Sequence, residues 1–458
     1  MNNTARAGGF FLHDRQFYRS LFHILALVAL QNVINYSVNM ADNIMLGSYS
    51  QPALSGAATV NQIFFLVQQL SLGVGDAFIV LGSQYWGQRR TEPIRGLAAA
   101  ALRWAVVCGA VFFFACALAP RGILRLFTKD EAILLQGVAY LRILKYTFIP
   151  FFISATVMAI LRSVETVRIA FVTSIVSLVV NVCINYVLIY GRFGAPELGV
   201  RGAAIGTLTA RLLELSIVLG YAAHDRKKLH LFGPGFRHPD PLLALDFRKT
   251  AVPVILSQVL WGISVPMQTA ILGHLSSDAI AANSVATTFY QYLKVVVIAE
   301  SSAFGVVIGM TIGKGKTDEV KAAMRTLELM SLLIALILGG TLYLIRTPLL
   351  RLYELTPEAL ALADRLIVIL CLVMVGMGYE MPICMGCLRG GGDTKFVLAM
   401  NMISAWAIVM PLSFASAFWW KWPVAAVVIC IQSDQIFKCL PTFVRARHYN
   451  KWIKKLTR

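Results

Sequence analysis

The sequence predicts an all-α polytopic membrane protein, with twelve transmembrane helices in two parallel six-helix lobes. Three observations carry this: a composition far from the globular norm, apolar runs of membrane-crossing length from end to end, and an internal repeat. Of 458 residues, 58% are hydrophobic and 14% charged, against roughly 25% charged in an average soluble domain. A soluble protein of this composition would have to bury nearly every helix on all faces.

The apolar runs fall at 20–40, 53–81, 97–118, 141–161, 168–190 and 200–222, then at 250–272, 279–309, 325–345, 366–388, 396–418 and 423–443. Each can cross a hydrocarbon layer about 30 Å thick. The polar, basic start, Met1 to Arg19, runs into the first span without a clear cleavage site, which predicts a retained helix rather than a signal peptide. These runs divide the chain into an N-terminal six-helix lobe at 1–222, a cytoplasmic linker at 223–249 and a C-terminal six-helix lobe with a basic cytoplasmic tail at 250–458. The linker is the longest polar stretch between spans and carries Gly233, Pro234, Pro239 and Pro241.

The net charge of +18 does not form the single basic patch of a nucleic-acid binder. The basic residues sit in short clusters between spans: Arg89–Arg90–Arg95, Arg162 with Arg168, Arg226–Lys227–Lys228, Arg248–Lys249, Lys314 with Lys316 and Lys321, Arg389 with Lys395, and the tail from Arg445. Positive charge concentrates on the cytoplasmic side, so both termini are expected there, in the cell (inner or plasma) membrane. Arg121, Arg125 and Lys129 fall on the other side, partly offset by Asp130 and Glu131. Most of the eight cysteines lie inside apolar runs. Cys384 and Cys387 make one C-x-x-C with no second pair or nearby histidine, so no zinc site or disulfide framework is expected.

Moving residues 31–94 forward by 226 positions places them on 257–320 without a gap. Leu46/Leu272, Gly47/Gly273, Phe78/Phe304, Gly87/Gly313 and Thr91/Thr317 coincide, and Arg90/Lys316 and Glu92/Asp318 are conservative. Further on, Leu161–Arg162 answers Leu388–Arg389 with one residue of slippage. An even number of spans per copy makes the repeat parallel. Parallel repeats suit alternating access, in which two bundles rock about a central cavity.

A carboxylate inside the membrane needs a reason. Gln31, Asn35, Asn39 and Asp42 recur at helical spacing in the first span, a stripe suited to a wet interior. The competing reading is that Asp42 ends its helix and is solvated by the following loop. Chain direction puts Asn181, Asn185 and Thr207 at a similar depth in the outer half of the lobe, so Asp42, Asn181, Asn185 and Thr207 are candidates to converge. Oxygen-rich groups of this kind suit a hard cation or a titrating carboxylate. Arg211 with Glu214, and Asp434 with Lys438, are spaced for ion pairs on one helix face; Lys294 and Glu300 lie on different faces, and each is expected to pair elsewhere.

Four segments together carry a resemblance: Met40–Ala41–Asp42–Asn43–Ile44–Met45–Leu46–Gly47, Ser83–Gln84–Tyr85–Trp86–Gly87–Gln88, Leu198–Gly199–Val200–Arg201–Gly202–Ala203–Ala204 after Asn181, and Leu388–Arg389–Gly390–Gly391–Gly392–Asp393–Thr394–Lys395. In order and spacing the chain resembles, over essentially its whole length, the multidrug and toxic compound extrusion (MATE) family of the MOP flippase superfamily. The resemblance implies a secondary active exporter that couples proton or sodium entry to efflux of amphipathic, often cationic, small molecules. It also implies an ion site at positions matching Asp42, Asn181, Asn185 and Thr207. The sequence departs from that pattern at Asn185, where several relatives have an acid, and at Gln268, the second-lobe counterpart of Asp42. The choice between sodium and proton therefore stays open. Tyr36, Asn39, Asp76, Gln268, Tyr290, Gln291, Glu300 and Glu380 are candidates to line a substrate cavity, Glu380 among Met374, Met377, Met381 and Met385. The expected partners are small-molecule substrates and the bilayer, with no nucleic acid, no cofactor beyond the coupling sodium ion or proton, and a monomeric chain. Alternatives are a flippase for lipid-linked precursors, an intramembrane enzyme or a channel. No G-x-S-x-G, Walker loop or catalytic His/Asp/Glu cluster is present.

Overall fold

The computed structural model describes residues 14–225, 229–237, 240–273, 277–315, 317–351 and 356–458. Among the described residues, twelve helices are long and apolar enough to cross a membrane: α1 (Arg15–Tyr49), α2 (Gln51–Gly87), α3 (Thr91–Leu118), α4 (Glu131–Ser163), α5 (Arg168–Tyr190), α6 (Val200–His224), α7 (Pro241–Leu272), α8 (Ala282–Gly313), α9 (Asp318–Leu350), α10 (Pro357–Leu388), α11 (Thr394–Trp419) and α12 (Val424–Arg447). The described residues contain no strand. In lipid a backbone must satisfy its own hydrogen bonds, and helices do this within one segment.

The apolar runs locate each helix, but several helices outrun them. α1 continues past the expected end at 40 to Tyr49, with Asp42 and Leu46 buried on one face and Asn43, Ile44, Gly47 and Ser48 exposed. There the Tyr190 hydroxyl donates to the Met45 carbonyl at 2.9 Å and meets the Ser48 hydroxyl at 2.5 Å. α7 begins at Pro241, inside the stretch read as linker; proline is at home in a first helical turn. Side chains set other starts: Asp130 accepts from the amides of Ala132 and Ile133 at 2.8 and 3.3 Å, and Thr356 accepts from that of Ala359 at 3.2 Å. Pro382, lacking an N–H, opens a wide π turn over Pro382–Leu388 at the end of α10, and α11 carries two more, Ile403–Val409 and Ala415–Trp419.

By packing, the chain forms two compact units: Met1–Ala29, Ile79–Arg89 and Val259–Arg458 in one, Leu30–Phe78 and Arg90–Gln258 in the other. The core of the second unit is an aromatic and aliphatic cluster around Val60, Phe64, Phe148 and Phe152. That of the first surrounds Tyr290, Leu366, Met374 and Met377. Cys384 and Cys387 are fully buried and free.

The repeat is visible inside the first unit, where the ends of α2 and α8 cross. A Cβ on Gly87 would strike the Met310 carbonyl, and a Cβ on Gly313 would strike the Gln84 carbonyl. Adding 226 to Gly87 and Gln84 gives Gly313 and Met310, so the two contacts exchange under the repeat. Self-complementary contacts of this form are what a twofold relation between equivalent segments produces. Both obstacles are backbone atoms, so no side-chain rotation would make room; glycine is required at both positions.

Candidate functional site

Asp42 lies seven residues before the end of α1 and is 8% exposed. It is not a helix-end carboxylate held in loop water. Of the polar stripe, Gln31 is likewise buried and donates to the Met158 sulfur at 3.6 Å, while Asn35 is half-buried and Asn39 exposed. Steps of four residues turn the face by about 40° each, whereas Asp42, eleven residues after Gln31, returns to within about 20° of it. The stripe therefore spreads across two environments.

The structure brings the four candidate ion-site residues together within the unit Leu30–Phe78 and Arg90–Gln258. The Asn185 amide donates to Asp42 Oδ1 at 2.5 Å and to Asn181 Oδ1 at 3.3 Å. The Asn181 amide donates to Thr207 Oγ1 at 3.4 Å, and Thr207 donates to the Ala203 carbonyl at 3.0 Å. Asn181 and Asn185 are 1% and 0% exposed; one helical turn apart on α5, they face α1 and α6 together. Asn185 Oδ1 is buried and has no hydrogen-bond partner. It rests against Gly206, where any side chain would collide with it.

Tyr140 of α4 completes the cluster, buried, hydrogen-bonded to Thr207 and close to Asp42. Sequence reasoning passed over it; the usable signal was a tyrosine in an apolar helix, whose hydroxyl needs a partner when buried. Arg211, one turn along α6 from Thr207, adds positive potential at Asp42. It is held by Glu214 at 2.7 Å and lies over the Phe151 ring at 5.0 Å. Glu214 also accepts from Ser154 at 2.7 Å. The expected Arg211–Glu214 pair is thus present and ties α6 to α4.

The candidate cavity residues divide between the two units. Tyr36 and Asp76 are half-buried, and Asp76 accepts from Gln258 at 3.2 Å. In the other unit Gln268 is half-buried and Gln291 exposed. Tyr290 is buried and donates to the Met377 sulfur at 3.2 Å. Glu380 is 1% exposed and stands 3.8 Å from Lys438, which also pairs with Asp434 at 3.1 Å. Lys294 lies over the Trp261 ring at 5.1 Å, within electrostatic reach of Asp434 and Lys438. The lysines and acids thus share one buried group, as burial of charge requires. Glu300 differs from expectation: it is fully buried and both carboxylate oxygens lack a hydrogen-bond partner. Six residues from Lys294 on the same helix, it faces away from that group. Among the described residues, no three His, Cys, Asp or Glu side chains group as a metal site.

Twelve apolar helices, an internal repeat of six and a buried polar cluster around one carboxylate define an integral membrane transporter. The MatE family model matches the chain twice, over residues 28–187 and again over 253–415, one match to each copy of the repeat. The chain belongs to the MatE family of multidrug efflux transporters. The probable multidrug resistance protein NorM of Thermotoga maritima is 25% identical over 418 residues, covering 90% of this chain and 89% of the relative. The protein of the same name from Rhizobium meliloti is 27% identical over 401 residues, covering 84% and 85%. Among solved structures, a MOP superfamily transporter from Pyrococcus furiosus superposes with a TM-score of 0.85 at 16% identity, covering 95% of this chain and 96% of that one. A Vibrio cholerae MATE transporter does so with 0.84 at 18%, covering 96% and 98%. At such identities these likenesses establish the fold alone.

Proposed function

We propose that the protein exports amphipathic, cationic small molecules by alternating access, driven by entry of sodium ions or protons at Asp42. The observation that carries this reading is the unpartnered Asn185 oxygen beside the buried Asp42 carboxylate. Asp42, Asn181, Asn185 and Thr207 supply one negative charge and several neutral oxygens, a donor set suited to a hard monovalent cation; without a cation, the same carboxylate can take a proton. Exchange needs a group whose affinity differs between two conformations, and a carboxylate on α1 held by amides of α5 is sensitive to small displacements of one helix against the other. Among the candidate cavity residues, the half-buried acid Asp76 and the half-buried aromatic surface of Tyr36 favour a cationic over an anionic cargo. In the P. furiosus transporter a binding pocket of reversed polarity suggests a different function; by the same logic, an acid at Asp76 speaks against a phosphate-bearing lipid precursor here. The basic clusters between spans favour a cell membrane location with cytoplasmic termini.

The test is efflux of a cationic dye from vesicles under an imposed sodium or proton gradient. Asp42→Asn keeps the side-chain shape but removes the exchangeable charge, so gradient-driven efflux should fall to background while membrane insertion persists. Wild-type rates in that variant would remove Asp42 from the mechanism.

A further inference from the structure

We infer that the outer face of α3, together with the short helix Pro234–Arg237, forms a binding site for the head group of an anionic phospholipid. The site is a groove of about 640 Å³ lined by Leu102, Arg103, Val106, Val107, Phe236 and Arg237. Its two arginines come from different segments of one unit, and no acidic residue is among its lining. Neither guanidinium has a hydrogen-bond or ion-pair partner among the described residues.

What sets the site apart from an ordinary basic surface is its place on a membrane-spanning helix. Val107, Val111 and Phe114 follow Arg103 at helical spacing and are 60%, 61% and 58% exposed, so they form an outward apolar track on one face. Arg103 continues that face and lies six residues, about 9 Å, inside the apolar run that begins at 97. An arginine there needs an anion within reach of its long side chain. Arg237 approaches from the polar end of α3, because the short helix packs through Gly235 on the first turn, against Glu92 and Arg95. Arg95 in turn donates to the Leu229 carbonyl at 2.9 Å and so fastens the linker to α3.

Charge and shape together choose the occupant. A phosphodiester fits between the two arginines, and its acyl chains fit the Val107–Val111–Phe114 track. A free phosphate would use only the first feature and a neutral lipid only the second. Basic pockets at the polar ends of membrane helices bind anionic lipid head groups in this way.

The test is native mass spectrometry of the purified full chain, loaded with equal amounts of phosphatidylglycerol and phosphatidylcholine. Wild type should retain phosphatidylglycerol preferentially. The Arg103→Gln/Arg237→Gln variant should retain about tenfold less of it, with unchanged retention of phosphatidylcholine. Val107→Trp, which fills the groove from a position already facing lipid, should also lose the preference and serves if the arginine variant does not fold. Equal retention of the two lipids by wild type, or an undiminished preference in Val107→Trp, would overturn the inference. So would displacement of the lipid by excess inorganic phosphate, which would make the groove a free-anion site.

Discussion

Gly206→Ala tests the cluster around Asp42 without replacing any of its polar residues. The new methyl would overlap Asn185 Oδ1 and stand 3.1 Å from Asn185 Cγ and 3.4 Å from the Asn181 carbonyl. Asn185 is fully buried, so to clear the methyl it must rotate and give up its contact with Asp42. A hydrogen bond to a charged group is worth about 1.5–3 kcal/mol, which corresponds to roughly a ten- to hundredfold change in an equilibrium constant. If Asn185 helps hold the coupling ion, the ion concentration for half-maximal efflux should rise by that factor, measured with a cationic dye in vesicles. Asn185→Ala supplies the control. Once the amide is gone, adding Gly206→Ala should change little, within about 0.5 kcal/mol. An unaltered ion dependence in Gly206→Ala, or an equal penalty in both backgrounds, would refute the argument from the Asn185–Gly206 contact.

Gly87→Ala and Gly313→Ala should each destabilise the fold, by similar amounts of about 1–3 kcal/mol, because each drives a methyl into a repeat-related carbonyl; thermal unfolding in detergent measures this, and a neutral effect at either position would contradict the reciprocal crossing. Lys438→Met should lower stability by about 3–5 kcal/mol, since it leaves Glu380 and Asp434 as neighbouring buried acids. Adding Glu380→Gln and Asp434→Asn to it should recover much of the loss, and failure to do so would mean the lysine acts through packing. Trp452→Ala should cost about 3–5 kcal/mol: the indole is fully buried, donates to the Ala446 carbonyl at 3.0 Å, and packs on Gly391.

How much of this was legible in the sequence depends on the range of the interaction. Membrane spans were legible because apolar length is a local property, and the polar face of α5 was legible because Asn181 and Asn185 are one turn apart. Convergence of Asp42, Asn181, Asn185 and Thr207 could be reached from chain direction and depth, since helices crossing a layer convert sequence position into height. Rotation about each helix axis was not legible. It decides that Asn39 is exposed, that Glu300 is buried without a partner, and that Tyr140 reaches Thr207. The tail was equally opaque. Asp393 is held by Arg445 at 2.7 Å and Lys454 at 2.6 Å, and the Gln84 side chain accepts from the Leu456 amide at 2.9 Å. None of these partners is close in sequence.

The two copies of the repeat have kept their packing and parted in chemistry. At the crossing of α2 and α8, Gly87 and Gly313 each face a carbonyl, a contact that tolerates no side chain and so holds both copies to the same residue. The polar cluster is under no such common constraint. Asp42 maps by the 226-residue offset onto Gln268. Asn181 and Asn185 map onto Ala407 and Pro411, or onto Ile408 and Leu412 if the one-residue slippage is allowed. The second copy thus has no carboxylate–amide cluster at the corresponding place. Of its buried charges on α8, α10 and α12, Lys294, Glu380, Asp434 and Lys438 offset one another, while Glu300 stands apart without a hydrogen-bond partner. A group compensated in this way gains less from binding a cation than Asp42, whose neighbours in contact are neutral amides. Under the proposed function this difference favours Asp42 as the ion-binding carboxylate over the compensated acids, which are suited to holding α10 and α12 together.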